Sequence, residues 1–261
     1  MIVRFCRDFE RYIPYSLVSA KAQLKSEVAN SYLNWIWWIL DPVCFMLIYT
    51  FIFGVVFDSR EPYFPIFIFV GLSMWDFFNR TINQSVKIVK NNKAIVSKVY
   101  MPKYVLILTK MWVNGFKMMI SFGIVAAMMV FWRVPIGISV LYSIPVLLTL
   151  VVFTFSCSVH LLHFGVYVED LSNVVTIIMR FVFYLTGIFY NVEGRVPAPY
   201  GEILNQYNPM AFLLTAMRQA LIYEQTPQRK MLLIWFGVSI FLAAWGIRRI
   251  YREENSYVKV I

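Results

Sequence analysis

The chain has 261 residues, 60% of them hydrophobic and 15% charged, with a mean hydropathy of +0.65. So little charge excludes an ordinary soluble domain, where roughly a quarter of residues are charged, and several apolar runs reach the ~20 residues that cross ~30 Å of hydrocarbon. The formal net charge of +10 sits in segments flanking those runs, where a bilayer already predicts it, so nucleic acid is not expected as a partner.

The first 32 residues form a separate N-terminal region, charged throughout, without the short apolar core and small-residue cleavage site of a signal peptide. They are expected to stay in the mature protein. Ile13, Leu17, Ala20 and Leu24 recur at helical spacing beside Lys21 and Lys25, which predicts an amphipathic interfacial helix ahead of the first span.

Residues 33–261 read as one polytopic, all-α membrane domain, with spans predicted at 33–57, 63–83, 104–131, 139–164, 173–190 and 231–247. Six crossings put both termini on one side. That side collects Arg4, Arg7, Arg11, Lys21 and Lys25, the loop lysines described below, and Arg248, Arg249, Arg252 and Lys259. The opposite loops hold Arg60, Arg133, Arg195, Arg218, Arg229 and Lys230, so the positive-inside rule makes the termini cytoplasmic.

Within the second span, Asp76 and Arg80 are four residues apart and suit an intrahelical ion pair that lowers the cost of two charges near the membrane. The following stretch, SVKIVKNNKAIVSKVYMPKY, carries Lys87, Lys90, Lys93, Lys98 and Lys103 and no acid. On a helix, Lys87, Lys90, Asn91 and Lys98 share one side, Ile88, Val89, Ile95, Val96, Val99 and Tyr100 the other, and Pro102 stops the run. An amphipathic cytoplasmic helix is predicted, either at the headgroup interface or docked on a partner.

In the third span Lys110, Asn114, Lys117 and Ser121 align, with Lys117 about 20 Å along the helix from Tyr104. A lysine so deep must snorkel, pair or face an aqueous path. His160 and His163 in the fourth span have no carboxylate in that span beside them, so a packing or interface role is expected of them rather than metal. Cys6, Cys44 and Cys157 are scattered and suggest neither a disulfide framework nor a thiolate site.

Between the fifth and sixth spans, Asn208 before Pro209 reads as an N-cap with proline at the first helical position, and Met210, Leu213, Leu214, Met217 and Leu221 give an apolar face. This outer helix is either re-entrant or flat on the outer leaflet.

No catalytic or metal-binding constellation emerges. No G-x-x-x-x-G-K-[ST] phosphate loop occurs, so the chain is not expected to hydrolyse ATP or to bind a cofactor itself. Carboxylates are nearly absent from the spans, apart from Asp41 and Asp76 near their ends, which argues against a proton-coupled carrier. Aromatic residues make up 18% of the chain, and their rings serve either as interfacial anchors or as flat faces for sugars. Tyr32, Trp35, Trp38, Tyr49, Phe181, Tyr184 and Tyr190 are the candidate channel residues.

The ordered set of a basic amphipathic N-terminal helix, AQLKSEVANSYLNWIWWILDP, SKVYMPKYV, YVEDLSNVVTIIMRFVFYLTGIFY and YNPMAFLLTAMRQALI covers essentially the whole chain. It resembles the permease subunits of type-2 ATP-binding-cassette exporters, especially those for O-antigen, capsule or teichoic-acid polymers. The early segment departs from the commoner pattern, reading KAQLKSEVANSYL where many members carry Arg and Gly.

The resemblance implies a homodimeric conduit in a bacterial cytoplasmic membrane, lined partly by spans one and five, with lipid-linked glycan as substrate. It further implies two copies of a separate ATPase subunit that hold the ATP and magnesium. Lys87, Lys90, Lys93 and Lys98, with Glu169 and Asp170, would then contact the ATPase. An exporter of a drug or small lipid would share this architecture. A membrane-embedded lipid-linked sugar transferase would instead need acidic groups, and only Asp41, Asp76, Glu169 and Asp170 are available.

Overall fold

A computed structural model describes residues 2–29, 34–57 and 61–260, and every regular element in them is helical. Helix α1 (Ile2–Val28) precedes α2 (Trp37–Tyr49), which continues as a π-helical stretch, Thr50–Val56. Then come α3 (Phe64–Val86), the single turns α4 (Ile88–Asn91) and α5 (Lys93–Val96), α6 (Tyr104–Phe131) and α7 (Ser143–Tyr167). The chain closes with α8 (Leu171–Leu185), the short α9 (Val192–Arg195) and α10 (Tyr200–Tyr207), α11 (Pro209–Leu221) and α12 (Arg229–Val260).

Among the described residues, four segments are long and apolar enough to cross a membrane: Trp37–Val56, Tyr104–Phe131, Ile138–Tyr167 and Arg229–Glu253. Helix α3 has the length but carries Asp76, Arg80 and several amides, and most of its side chains are buried against other helices. Helix α8 is apolar but only 15 residues long, about 22 Å at 1.5 Å per residue.

Contacts across the bundle define its two ends. At one end Tyr251 donates to Asp8 at 2.8 Å, Tyr12 to the Tyr100 carbonyl at 3.3 Å, and Tyr167 to Glu253 at 2.9 Å. This end therefore holds the start of α1, the loops after α3 and α7, and the last turns of α12. At the other end Ser139 bonds the Ala220 carbonyl at 3.1 Å, and Tyr223 bonds Glu61.

The loop after α3 departs from the continuous helix expected there. Asn92 Nδ2 donates to the Ile88 carbonyl at 2.7 Å, and Asn92 leaves helical geometry at φ −110°, ψ 24°. Such side-chain bonds compete with the backbone ladder and break the run into two turns. Only Ile88, Val89 and Val96 of the expected apolar face are buried, whereas Ile95, Val99 and Tyr100 are exposed.

The fifth span also ends early, at Leu185 rather than residue 190. Thr186 Oγ1 turns back onto the Val182 and Phe183 carbonyls, and Gly187 takes the left-handed φ of +67° that glycine tolerates. The sixth runs on past residue 247 as α12, and the fourth begins with a 3-10 turn at Ile138–Tyr142.

Two sequence readings reappear in detail. Asn208 caps α11 by accepting from the Met210 and Ala211 amides at 3.1 and 3.3 Å. The helix does not lie flat on a surface, because Met210 to Leu214 and Ala216 to Arg218 are all buried in protein. His160 bonds the Leu242 carbonyl at 3.1 Å and His163 the Tyr257 hydroxyl at 2.7 Å, so each imidazole joins α7 to α12.

Candidate conduit and coupling surfaces

Four helices, α2, α3, α6 and α8, enclose a cavity of about 220 Å³ lined by Trp37, Trp38, Tyr49, Trp75 and Phe183 together with Asp41, Asp76, Arg80, Asn114 and Lys117. Its charges are organised. Arg80 Nε meets Asp76 at 2.7 Å, as the four-residue spacing predicts, and its Nη2 reaches Asp41 of α2 at 3.5 Å. One guanidinium thus joins two helices, and each carboxylate has a cationic neighbour to offset its desolvation.

The polar face of α6 is resolved in the same way. Lys110 bonds Gln23 at 2.9 Å and Lys117 pairs with Glu27 at 2.6 Å, both on α1. Asn114 is buried and donates to Thr81 and Gln84 of α3 at 3.0 and 3.2 Å, while its Oδ1 has no partner among the described residues. The lysines along α6 therefore pair, and in pairing they fix the N-terminal helix to the bundle.

The candidate rings divide. Trp38 packs edge-on against Phe116 at 5.8 Å and lines the cavity with Tyr49, whose ring sits 4.7 Å from Phe189. Tyr190 donates to the Tyr184 carbonyl at 2.8 Å and faces a second hollow of about 380 Å³ with Phe53, Phe57, Phe189 and Arg195. Phe53 and Phe189 stack at 4.4 Å with 6° between planes in the wall of the second hollow, and Phe189 touches Tyr49 and Phe183 of the first at 4.7 and 5.2 Å. Trp35, Phe181 and Tyr184 are exposed on the surface of the chain, and Tyr32 lies outside the described residues.

One pair of the candidate coupling residues meets at the end that holds the start of α1 and the last turns of α12. Lys90 Nζ lies 2.9 Å from Glu169 Oε1, linking the loop after α3 to the loop after α7. That bond, reinforced by the ammonium's charge, holds the Glu169 carboxyl below its usual range. Beneath them α3 and α7 are in backbone contact: a Cβ on Gly165 would lie 1.9 Å from the Val86 carbonyl oxygen. Asp170 precedes α8, where its carbonyl accepts from the Asn173 and Val174 amides, and Lys87, Lys93 and Lys98 are exposed on the segment that follows α3.

Sequence reasoning missed Arg218. Only 3% exposed, its guanidinium donates to the Phe67, Gly187 and Ile188 carbonyls at 3.2, 2.7 and 2.8 Å and lies 3.4 Å over the Phe67 ring. It thereby satisfies the carbonyls freed where α8 ends and ties that end to α3 and α11. Position in an outer loop was the only signal, and it pointed to a solvated charge.

Two relatives align along nearly the whole chain. It is 27% identical over 257 residues to an O-antigen export system permease protein RfbA of Myxococcus xanthus, covering 97% of this chain and 98% of that one. It is 25% identical over 246 residues to the RfbA permease of Klebsiella pneumoniae, covering 94% of each. Residues 17–222 match the model of the ABC-2 type transporter family, from within α1 to the end of α11, so the paired helices, the cavity and the buried arginine all fall inside the match. The chain belongs to the ABC-2 type transporter family.

Proposed function

We propose that this chain is the permease subunit of an ATP-driven exporter that moves a lipid-linked polysaccharide from the cytoplasm to the outer side of a bacterial inner membrane. The observation that carries this reading is end-to-end similarity to O-antigen export permeases, with both partners covered almost completely. In this reading six helices, α2, α3, α6, α7, α8 and α12, cross the membrane, both termini are cytoplasmic, and two copies of the chain form the conduit. Two copies of a separate ATPase subunit bind ATP and magnesium, and this chain itself is a transport component rather than an enzyme.

The chemistry of the surfaces supports the division of labour. Aromatic faces offer weak, repeated contacts to sugar rings, and amide and carboxylate groups beside them accept hydroxyl hydrogen bonds, which suits passage more than tight capture. Exposed Trp35, Phe181 and Tyr184 are available to line a lumen completed by the second copy. At the cytoplasmic end, Lys87, Lys90, Lys93, Lys98, Glu169 and Asp170 form a polar face that transmits ATPase motion into α3 and α7 through the Val86–Gly165 contact. A sugar transferase is disfavoured because Asp41 and Asp76 are engaged by Arg80, and Glu169 by Lys90.

A mild-detergent pull-down of the tagged chain tests the reading. Co-purification of an ATPase whose binding or stimulation falls on Glu169→Ala, Asp170→Ala and charge reversal at Lys87 and Lys90 is the expected result. A chain that purifies alone and transfers sugars would overturn it.

A further inference from the structure

A groove of about 930 Å³ runs between α1 and α6, walled by Leu17, Leu24, Met111, Trp112 and Phe116 with Gly115 in its floor. Its lining is almost wholly apolar and includes no Asp or Glu; its only charged members are Lys21 and Lys25. Both are exposed, and no ion pair or hydrogen bond among the described residues engages either. They stand four residues apart on one helical face, where like charges repel by a few tenths of a kcal/mol.

The neighbouring contacts keep this groove open. Gln23 and Glu27 on α1 are held by Lys110 and Lys117, and Trp112 Nε1 donates to Ser16 at 3.1 Å. Those bonds fix the helix against α6 while leaving the two lysines unneutralised beside an apolar hollow. Along α6 the groove runs from Leu108, near the start of that helix, to Met119 at its middle, beside the α1 residues that carry the two lysines, and an amphipathic helix beside a bilayer sets such lysines at the headgroups.

We propose that this groove binds an anionic phospholipid of the adjacent leaflet, its acyl chain along the α1–α6 walls and its phosphate between Lys21 and Lys25. A single phosphate there relieves the lysine repulsion and fills the hollow, so the lipid acts as a wedge that sets the position of the N-terminal helix. The inference stands on the groove alone and does not depend on the exported substrate.

Native mass spectrometry of the purified full chain, delipidated and then supplied with phosphatidylglycerol or phosphatidylcholine, tests it. Retention of phosphatidylglycerol in preference to phosphatidylcholine is expected. Lys21→Gln with Lys25→Gln should weaken that retention by at least about tenfold, the size two lysines contribute at a membrane surface. The Lys21→Arg, Lys25→Arg pair should retain it, as should Lys230→Gln at the far end of the bundle. Gly115→Leu should lower retention by filling the floor, where an added Cβ meets only the Phe77 ring at an ordinary 3.8 Å. Equal retention of the two lipids, or phosphatidylglycerol binding indifferent to the lysine and glycine variants, would overturn the proposal. Displacement by equimolar polyprenyl phosphate, or a lysine-dependent dimer without lipid, would also overturn it by assigning the groove to the substrate's carrier or to a second copy.

Discussion

Arg218 and Lys90 show how differently one positive charge behaves in two environments. Arg218 is buried with no ion pair among the described residues, and its cost is offset by three carbonyls and an aromatic face. Arg218→Met removes those donors and leaves buried carbonyls unsatisfied, so a loss of about 3 kcal/mol is expected, read as a lowered melting temperature in detergent. Arg218→Lys, with one compact ammonium in place of a fork, should recover only part; full recovery would contradict the carbonyl clamp. Lys90, by contrast, meets a fully solvated carboxylate, and little stability follows from such a pair. Because Glu169 titrates lower than usual in the folded protein, the pair is formed above the ordinary carboxylate range and is lost as pH falls through the lowered value. Lys90→Gln should move the Glu169 titration upward, as followed by NMR of a carboxyl-labelled sample; an unmoved titration would show that the bond does not form in solution.

The elements are coupled where side chains are smallest or most polar. At Gly165 any side chain collides with the Val86 carbonyl, so Gly165→Ala should push α3 from α7, costing about 1–3 kcal/mol and weakening ATPase stimulation together. Wild-type stability and stimulation in that variant would remove the proposed transmission path. The cavity makes a separate demand on α2: Asp41 holds Arg80 from across the helix interface. Asp41→Asn should lower export while leaving ATPase binding intact, and an unchanged export rate would place the conduit elsewhere. The same scale explains what the sequence conceals. The Asn208 cap and the Asp76–Arg80 pair were legible because each is settled within four residues. Asp41 joining Arg80, and Glu27 joining Lys117, depend on helix packing that no local spacing encodes. The loop after α3 misled the periodicity because Asn92 spends its side chain on the backbone, a choice that an apolar pattern does not register.

For the molecule as a whole, the apolar runs and the placement of basic segments were sufficient to read an all-helical membrane protein, and the start of α1 and the last turns of α12 share one end of the bundle. Less legible was the end opposite the termini, where α8 stops short at Thr186 and Gly187 and α11 is buried rather than lying on a surface, because the Arg218 contacts that tie α11 to α3 and to the end of α8 join segments far apart in sequence. The proposed activity is export of a lipid-linked glycan driven by another subunit's ATP. The most direct measurement is glycan at the cell surface, alongside lipid-linked glycan inside, in a strain deleted for this chain and complemented with wild type or Asp41→Asn. Loss of surface glycan with internal accumulation of the lipid-linked form is expected, restored by wild type and only partly by the variant. Undiminished surface glycan in the deletion strain would contradict it.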